Sequence, residues 1–508
     1  MPSPFRRTLP SSPSLAQQKK QAKELLQAFT AGQPEARDRV RALLPDKPRI
    51  ALGDAQFVLA REYGFTDWSA LKQHIDALEE QRRPPHERIA AAFRRGDREA
   101  VRRIFQQQPA LLKMIDAPLF PFNSPAIVHS ANDPAIVDML LELGADPNRR
   151  SEWWAGPFHA LHVATGDAAT RLLAAGAIPD ACAAAHLDRA DLLSRMIAED
   201  PARVHERGGD GQTPLHFARS RAVVDLLLAH GADIDARDVD HRSTPAEWML
   251  ERRRGEGRYE LAQYLVERGA STDIFLAAAL GLTDRVRALI DADPSLLDLR
   301  TGRGRYGEQP PSAQHIYLWT IGDSLSPLDV AAQFEQRETL ALLLTFASPI
   351  QRFMLACRHG DGTAARAVLR DEPGLMDRLT SDDHRAISDA AWNGETAAVA
   401  LMLDLGFDPR TIGHDSGTAL HCAAWEGSPD TVAALLRHPD ATELVAIKDA
   451  HYGATPLGWC CHGSRFGNTS HDHAAVARLL LEAGARPGAD TSEASEEVEG
   501  VLSAWPER

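Results

Sequence analysis

The chain has 508 residues, 44% hydrophobic and 25% charged, with a formal charge of −15. A single hydrophobic core stops growing near ~250–300 residues, so several domains or a repeat array must carry this length. The acidic balance excludes a general nucleic-acid binder, because neutralising phosphates takes a basic surface. Five cysteines are too sparse, and odd in number, for a secreted disulfide framework. No apolar stretch of the kind a secretory signal needs opens the chain. The longest aliphatic runs, such as 340–346, fall far short of the ~20 residues that span a bilayer. These features predict a reduced, cytoplasmic protein.

Residues 1–13 are rich in Pro and Ser and predict a disordered tail. Residues 1–50 hold ten Lys and Arg against four acids, which leaves −21 on the remainder. Residues 14–80 predict a separate helical module. Its first helix covers 14–30, with Leu25, Leu26 and Phe29 apolar, and its second covers 54–63 and stops at Gly64. The third follows Thr66 as cap and places Trp68, Leu71, Ile75 and Leu78 at helical spacing.

Beyond residue 85 the chain repeats itself. Gly211-Gln-Thr-Pro-Leu-His-Phe-Ala218 aligns with Gly417-Thr-Ala-Leu-His-Cys-Ala-Ala424 and with Gly453-Ala-Thr-Pro-Leu-Gly458. Each is followed by an aliphatic run (Val224–Leu228, Val432–Leu436, Val476–Leu481). Gly-Ala stops then recur, as at Gly144, Gly176, Gly231, Gly269 and Gly484. Thr caps a helix whose first position takes Pro, small Ala pairs admit a close neighbour, and Gly supplies the left-handed C-cap. The pattern resembles the ankyrin-repeat family, with its ~33-residue period and Thr-Pro-Leu-His-x-Ala signature. The resemblance implies an all-α solenoid of helix-turn-helix repeats with β-turns, preceded by a small helical domain. About twelve units span 85–489, beginning near Pro85, Asp116, Arg149, Ala181, Gly209, Asp238, Asp273, Thr301, Pro349, Leu379, Thr411 and Asp449. Residues 490–508 predict an acidic capping helix with Val498, Val501, Leu502 and Trp505 on one face. The N-terminal module, through Tyr63-Gly-Phe-Thr-Asp-Trp68, is similar to a helical region that precedes ankyrin arrays in bacterial proteins, which implies a bacterial source.

Two insertions interrupt the array. Residues 301–325 join a Gly/Pro loop to a β-branched and aromatic stretch, and 465–473 lengthen the last unit. Long loops in a compact array are functional or disordered. Three strings invite a chemical reading. Gly322-Asp-Ser-Leu-Ser326 looks like the nucleophile motif of GDSL hydrolases, but the only Asp-x-x-His, Asp238–His241, lies upstream. Ser326-Pro-Leu-Asp-Val-Ala-Ala332 is also a helix start in the repeat register, which makes the match a coincidence. Gly302–Gly307 fits G-x-G-x-x-G but runs into Pro310-Pro311, which forbids the helix that a dinucleotide needs. Cys460, Cys461, His462, His471 and His473 are metal-ligand types. However, adjacent helical cysteines diverge by ~100° and fall on the small Ala-Ala positions, as Cys357 does. No catalytic residue, metal site or cofactor is assigned.

In ankyrin proteins the turns and the ends of the first helices line the face that meets partners. The corresponding pairs here are Arg94/Arg95, Ala279/Leu280, Gln333/Phe334, Arg358/His359, Trp392/Asn393, Trp425/Glu426 and His462/Gly463. The C-terminal pairs carry the aromatic, Arg and His types that dominate interfaces. Turn residues His384, His414, His451 and Tyr452 flank them. The expected function is a non-enzymatic scaffold holding a protein partner through Phe334, Arg358, His359, His384, Trp392, Asn393, Trp425, Glu426, Tyr452 and His462. The 301–325 loop is a candidate lid. The partner is expected to be neither nucleic acid nor membrane, and the chain to be a monomer. The alternatives are lateral packing of Trp392 on Trp425 as filler, a sensor of small molecules or peptides, and an enzyme with metal near 462–473.

Overall fold

Thr-Pro and Ser-Pro steps start helices along the chain. Thr213, Thr244, Ser326, Ser348 and Thr455 are N-caps, each followed by Pro in the first turn. The computed structural model describes residues 5–10, 13–82, 89, 98–107, 109–250, 258–467, 471–491 and 494–505. Among these the regular elements are all helices, with three isolated β-bridges beside them. None of the described helices is long and apolar enough to cross a membrane. The chain divides into two units, Met1–Trp153 with Phe158–Ile178, and Trp154–Pro157 with Pro179–Arg508.

The first unit opens with four helices, Leu15–Thr30, Pro34–Arg41, Leu52–Glu62 and Trp68–Arg82. Pro34–Arg41, with Pro in its first turn, is additional to the three read from sequence. Leu25, Ala36, Val40, Ala55 and Val58 form one buried cluster, and Ala60, Leu71 and Ile75 another. The fully buried Glu62 receives two parallel 2.8 Å hydrogen bonds from the Arg39 guanidinium, a bidentate pairing that satisfies both oxygens. Phe5–Pro10 is not a free tail. The Arg7 N–H donates to the Glu62 carbonyl at 2.9 Å, and Leu9 packs on the Leu71 cluster. Residues 1–4 and 11–12, and the expected repeat start at Pro85, lie outside the described residues. Short helix pairs follow within this unit, such as Ala126–His129 with Pro134–Glu142.

In the second unit, helix pairs recur from Ala181 onward. Examples are Ala181–His186 with Ala190–Glu199, Ala386–Trp392 with Thr396–Asp404, and Ala419–Glu426 with Pro429–Leu436. Glu496–Ala504 follows the last pair and buries Val498 and Val501. Adjacent pairs are tied by polar side chains as well as by apolar faces. The Thr213 N–H donates to His216 Nδ1 at 3.0 Å, which leaves the ring proton on Nε2 to bond the Ser243 carbonyl at 3.1 Å. His421 repeats this with Thr418 and the Ala454 carbonyl. Glu247 and Asp329 take the same position, three residues after the cap, and accept the cap N–H through a carboxylate.

The 301–325 insertion is a wedge in the fold and not a lid. Tyr306, Ile316, Tyr317 and Ile321 belong to the buried core. Both tyrosine hydroxyls donate to Asp273, at 2.7 and 2.9 Å, and His315 Nε2 lies 3.4 Å from Glu247. Aromatic bulk and hydroxyl bonds to a buried carboxylate hold the segment inside the stack.

Burial pushes the His216 and His421 imidazoles down, that of His421 to about 4. Their folded pKa lies below the ordinary value near ~6.5, so the unfolded chain binds more protons between the two. Stability from these rings is complete above pH ~6.5 and falls as pH drops toward ~4. Urea midpoints for wild type should decline over that window, and His421→Gln, less stable at pH 7, should decline less. Equal declines would remove His421 from the acid response.

Candidate functional site

The last turn of each first helix in the C-terminal repeats carries a large side chain where small Ala residues precede it. Ala390-Ala391-Trp392 and Ala423-Ala424-Trp425 keep the packed side small, and the ring closes the helix end. Because neighbouring repeats stack in register, these rings meet. Trp392 and Trp425 lie nearly parallel, 6° apart with centroids 6.1 Å apart. Trp425 continues to His462 at 5.5 Å, and His462 to Phe466 at 4.5 Å. On another side Trp425 meets the edge of Trp459, which meets Tyr452, itself 4.4 Å from His451. The two helix-end tryptophans are half-buried, while His462, Phe466 and Tyr452 are exposed. The result is one aromatic band across three repeats.

A buried acid supports its N-terminal end. Asp389, 2% exposed, lies one turn before Trp392, and His414 stacks on Trp392 at 4.7 Å. His414 Nε2 is 3.4 Å from Asp389, Arg385 is 3.4 Å away and Arg358 3.7 Å. None of these contacts satisfies the carboxylate as a hydrogen bond. Burial alone would raise the Asp389 carboxyl, but His414 and the two guanidinium groups hold it below the usual range. The imidazole is thus held between an aromatic face and a carboxylate. Trp459 is fixed in a similar way. Its indole N–H donates to Asp449 at 2.9 Å, and Asp449 also accepts the Tyr452 and Ala454 N–H groups. Burial raises the Asp449 carboxyl, and these donors outweigh it and lower it. The same set of donors recurs at Asp238, which accepts from the N–H groups of His241 and Ser243 and from the Trp248 indole.

Of the residues expected from sequence, Trp392, Trp425, His462 and Tyr452 join the band directly. Glu426 follows Trp425 in the chain and meets His471, whose Nδ1 is 2.7 Å from the Glu426 carbonyl and 3.2 Å from its carboxylate. Asn393 ends the Trp392 helix, and its N–H donates to the Asp389 carbonyl. Arg358 turns toward Asp389, while His359 is exposed at the end of helix Pro349–Arg358. Phe334 does not join them, being 6% exposed and stacked on Tyr259 at 5.9 Å. His384 sets its ring edge against the buried Phe407. Ala279 and Leu280 are buried, and Arg94 and Arg95 lie outside the described residues. Sequence reasoning missed Asp389, Trp459 and Phe466. The repeated ten-residue interval, Asp238 to Trp248 and Asp449 to Trp459, was the available signal for Trp459.

The remaining motifs resolve into structure. Ser324 sits in a left-handed turn at φ 59°, and its N–H donates to the Thr301 carbonyl. Thr301 Oγ1 donates to the Gly322 carbonyl and accepts the Leu325 N–H, so the Gly-Asp-Ser-Leu stretch is a tied turn. Cys460 and Cys461 are fully buried, and burial pushes the Cys461 thiol up to about 12. His473 Nε2 donates to the Trp425 carbonyl at 2.9 Å, so His462, His471 and His473 engage different partners.

Comparison with known proteins agrees with this geometry. A family model described as ankyrin repeats (3 copies) matches residues 353–446 and 387–491, and the ankyrin repeat model matches 210–239. The chain therefore carries ankyrin repeats, an architecture typical of protein–protein interaction modules. It is similar to ankyrin repeat and SAM domain-containing protein 6 of Mus musculus, 33% identical over 146 residues, covering 26% of this chain and 16% of that protein. The Rattus norvegicus counterpart is 30% identical over 159 residues, covering 28% and 17%. A third match, serine/threonine-protein kinase VIK of Arabidopsis thaliana, is 40% identical over 57 residues, covering 11% of the chain and 13% of the kinase. The chain thus spans about a sixth of the two mammalian relatives. The expectation of a bacterial family, drawn from Tyr63–Trp68, is corrected by these eukaryotic relatives. The repeat pattern follows from helix packing and does not mark a lineage.

Removing one partner of a buried charge cluster leaves the others uncompensated. Asp389→Ala should therefore cost about 3 kcal/mol in urea unfolding. A loss under about 1 kcal/mol would mean that the carboxylate does not support the band.

Proposed function

We propose that the C-terminal repeats hold a protein partner across the band formed by Trp392, Trp425 and His462, without a catalytic step. The observation that carries this reading is the continuous row of partly exposed rings at successive helix ends. Stacked rings offer a large, rigid apolar area, and indole and imidazole edges add polar contacts. The lateral stacking of Trp392 on Trp425, an alternative when read from sequence, becomes part of the same reading, because each ring keeps exposed surface while its neighbour holds it in place. Arg358 at one end and Glu426 near the other give the face charges of both signs. The chain's overall −15 favours a segment of basic or mixed charge. Arg358, His359, Asn393 and Tyr452 lie at the rim of this reading, and Phe334 and His384 outside it.

The test compares immobilised wild type with a Trp392→Ala/Trp425→Ala variant for proteins captured from a lysate. Capture by wild type should be lost in the variant, since each central Trp is worth about 2 kcal/mol or more, roughly 30-fold in affinity. Melting should fall only modestly, because the stacked rings are half-buried. A variant that retains the captured proteins, or one that melts far below wild type, would overturn the assignment, the second outcome by making the tryptophans core.

A further inference from the structure

A second surface is built on the helix that follows the last pair of the second unit. Glu496–Ala504 stands there as a single helix, and its Val498 is fully buried in the core shared with Val476 and Leu480. Beside that contact an open groove of about 650 Å3 runs between Glu496–Ala504 and His473–Glu482. Glu497, Gly500, Val501 and Ala504 line one wall, at positions i, i+3, i+4 and i+7 of one helical face. Trp505 closes that wall just past the helix end. Ala474 and Arg478, one turn apart, form the other wall, with Asp472 beside them. A Cβ added at Gly500 would meet nothing within 4 Å, so the middle of the groove has room for a guest.

The walls decide what can lie between them. Both are helices, whose backbone groups are bonded within the helix and offer a guest no ladder to pair with. A guest must therefore satisfy its own backbone, as a helix laid in a groove does. Ala474, Gly500 and Ala504 keep the contact surface low, which admits a close helix, while Val501 and Trp505 supply apolar area. The charges add a second condition. Arg478 stands on one wall and Glu497 on the other, so a fitting helix brings an acid to the first and a base to the second. Glu496–Ala504 and its neighbour meet both conditions themselves. Related by a two-fold axis, two copies of this surface set Glu497 of each against Arg478 of the other, and the small stripe of each against that of its mate.

We propose that this groove is a self-association surface, in which the helix Glu496–Ala504 of a second copy of the chain lies along the first in an isologous pair. The self-complementary placement of Arg478 and Glu497 across one small-residue floor is the observation that selects a second copy as the occupant. One helix face from each chain is a small contact, below the roughly 1,200 Å2 of standard interfaces, so the pair is weak and reversible. Its charge pairs set register and orientation, and the apolar stripe with Trp505 supplies the attraction. The surface does not use the tryptophans of the aromatic band, so pairing and partner binding are separate properties of the second unit.

The test is sedimentation velocity of the full-length protein over a wide concentration range. The mean mass of wild type should rise with concentration toward that of two chains. Arg478→Glu and Glu497→Arg should each weaken association at least about tenfold, because every reversed charge occurs twice in an isologous contact. The Arg478→Glu/Glu497→Arg double variant should recover the wild-type constant. Gly500→Gln should abolish association by filling the groove. Ser503→Gln, exposed on the same helix but outside the groove, should leave it unchanged. Circular dichroism checks that each variant folds, and the exposed positions chosen keep the core intact. A wild type that stays one chain at every concentration would overturn the pairing and leave the groove to a helix of another protein. Single reversals without effect, a double variant as weak as the singles, or equal behaviour of the two Gln variants would also overturn it.

Discussion

The repeats of the second unit depend on one constraint: no helix pair buries its own apolar face. The first helices run from four residues, as in Pro214–Phe217, to eleven in Pro456–Phe466. Isolated helices below about 12–15 residues are marginal in water, so each pair persists because the next one covers it. The fully buried Ala183, Ala184, Ala277, Ala278, Ala423 and Ala424 show how close the coverage is. Neighbours are also locked in register by polar groups, because His216 and His421 each bond their own cap and the backbone of the following repeat. A bond that spans two repeats fixes translation along the stack more sharply than apolar contact, which is non-directional.

Buried acids perform a related task in the turns. Asp238 and Asp449 gather two backbone N–H groups and an indole each, Glu247 and Asp329 hold helix caps, and Asp273 holds two tyrosine hydroxyls. A carboxylate is well suited to this, since it accepts several donors at once and charge-assisted bonds are the stronger ones. The chain's net charge is therefore an imperfect guide to its surface. Several of its 71 acidic residues are spent on internal turns and never face a partner. The electrostatic character of the aromatic band is set by the few charges beside it, Arg358 and Glu426, more than by the total.

What could be read from the sequence follows from the range of each interaction. Caps, glycine stops and Leu-rich runs are local, so an all-helical repeat fold is legible in them. Trp392, Trp425 and His462 were legible because repeat register alone brings equivalent positions together. The insertion was not, because its burial depends on Tyr306 and Tyr317 reaching Asp273, 33 and 44 residues away. Pro34–Arg41 was hidden by its shortness and its many charges, although Pro34 marked its start. Phe334 had the same helix-end position as Trp392, but Tyr259 covers it, and that contact spans 75 residues. Asp389 sits among apolar positions and gave no sign that it would face two guanidinium groups and an imidazole.

The aromatic band brings two demands on the same residues together. A ring that stabilises the stack must be buried against its neighbour, and a ring that meets a partner must keep surface free. Helix-end placement satisfies both, because Trp392 stacks on Trp425 and His414 and yet stays only half-buried. Such a ring has already lost much of its rotamer freedom in the free protein. Association then costs less side-chain entropy, a term of about 0.5–1.5 kcal/mol for each side chain immobilised on binding. His414 extends the argument to electrostatics: Asp389 beneath it holds the imidazole flat on Trp392, so the acid acts on the surface through the ring that it positions. Repeat stacking thus orders this face before any partner arrives, and the bonds that keep the repeats in register also keep its rings aligned.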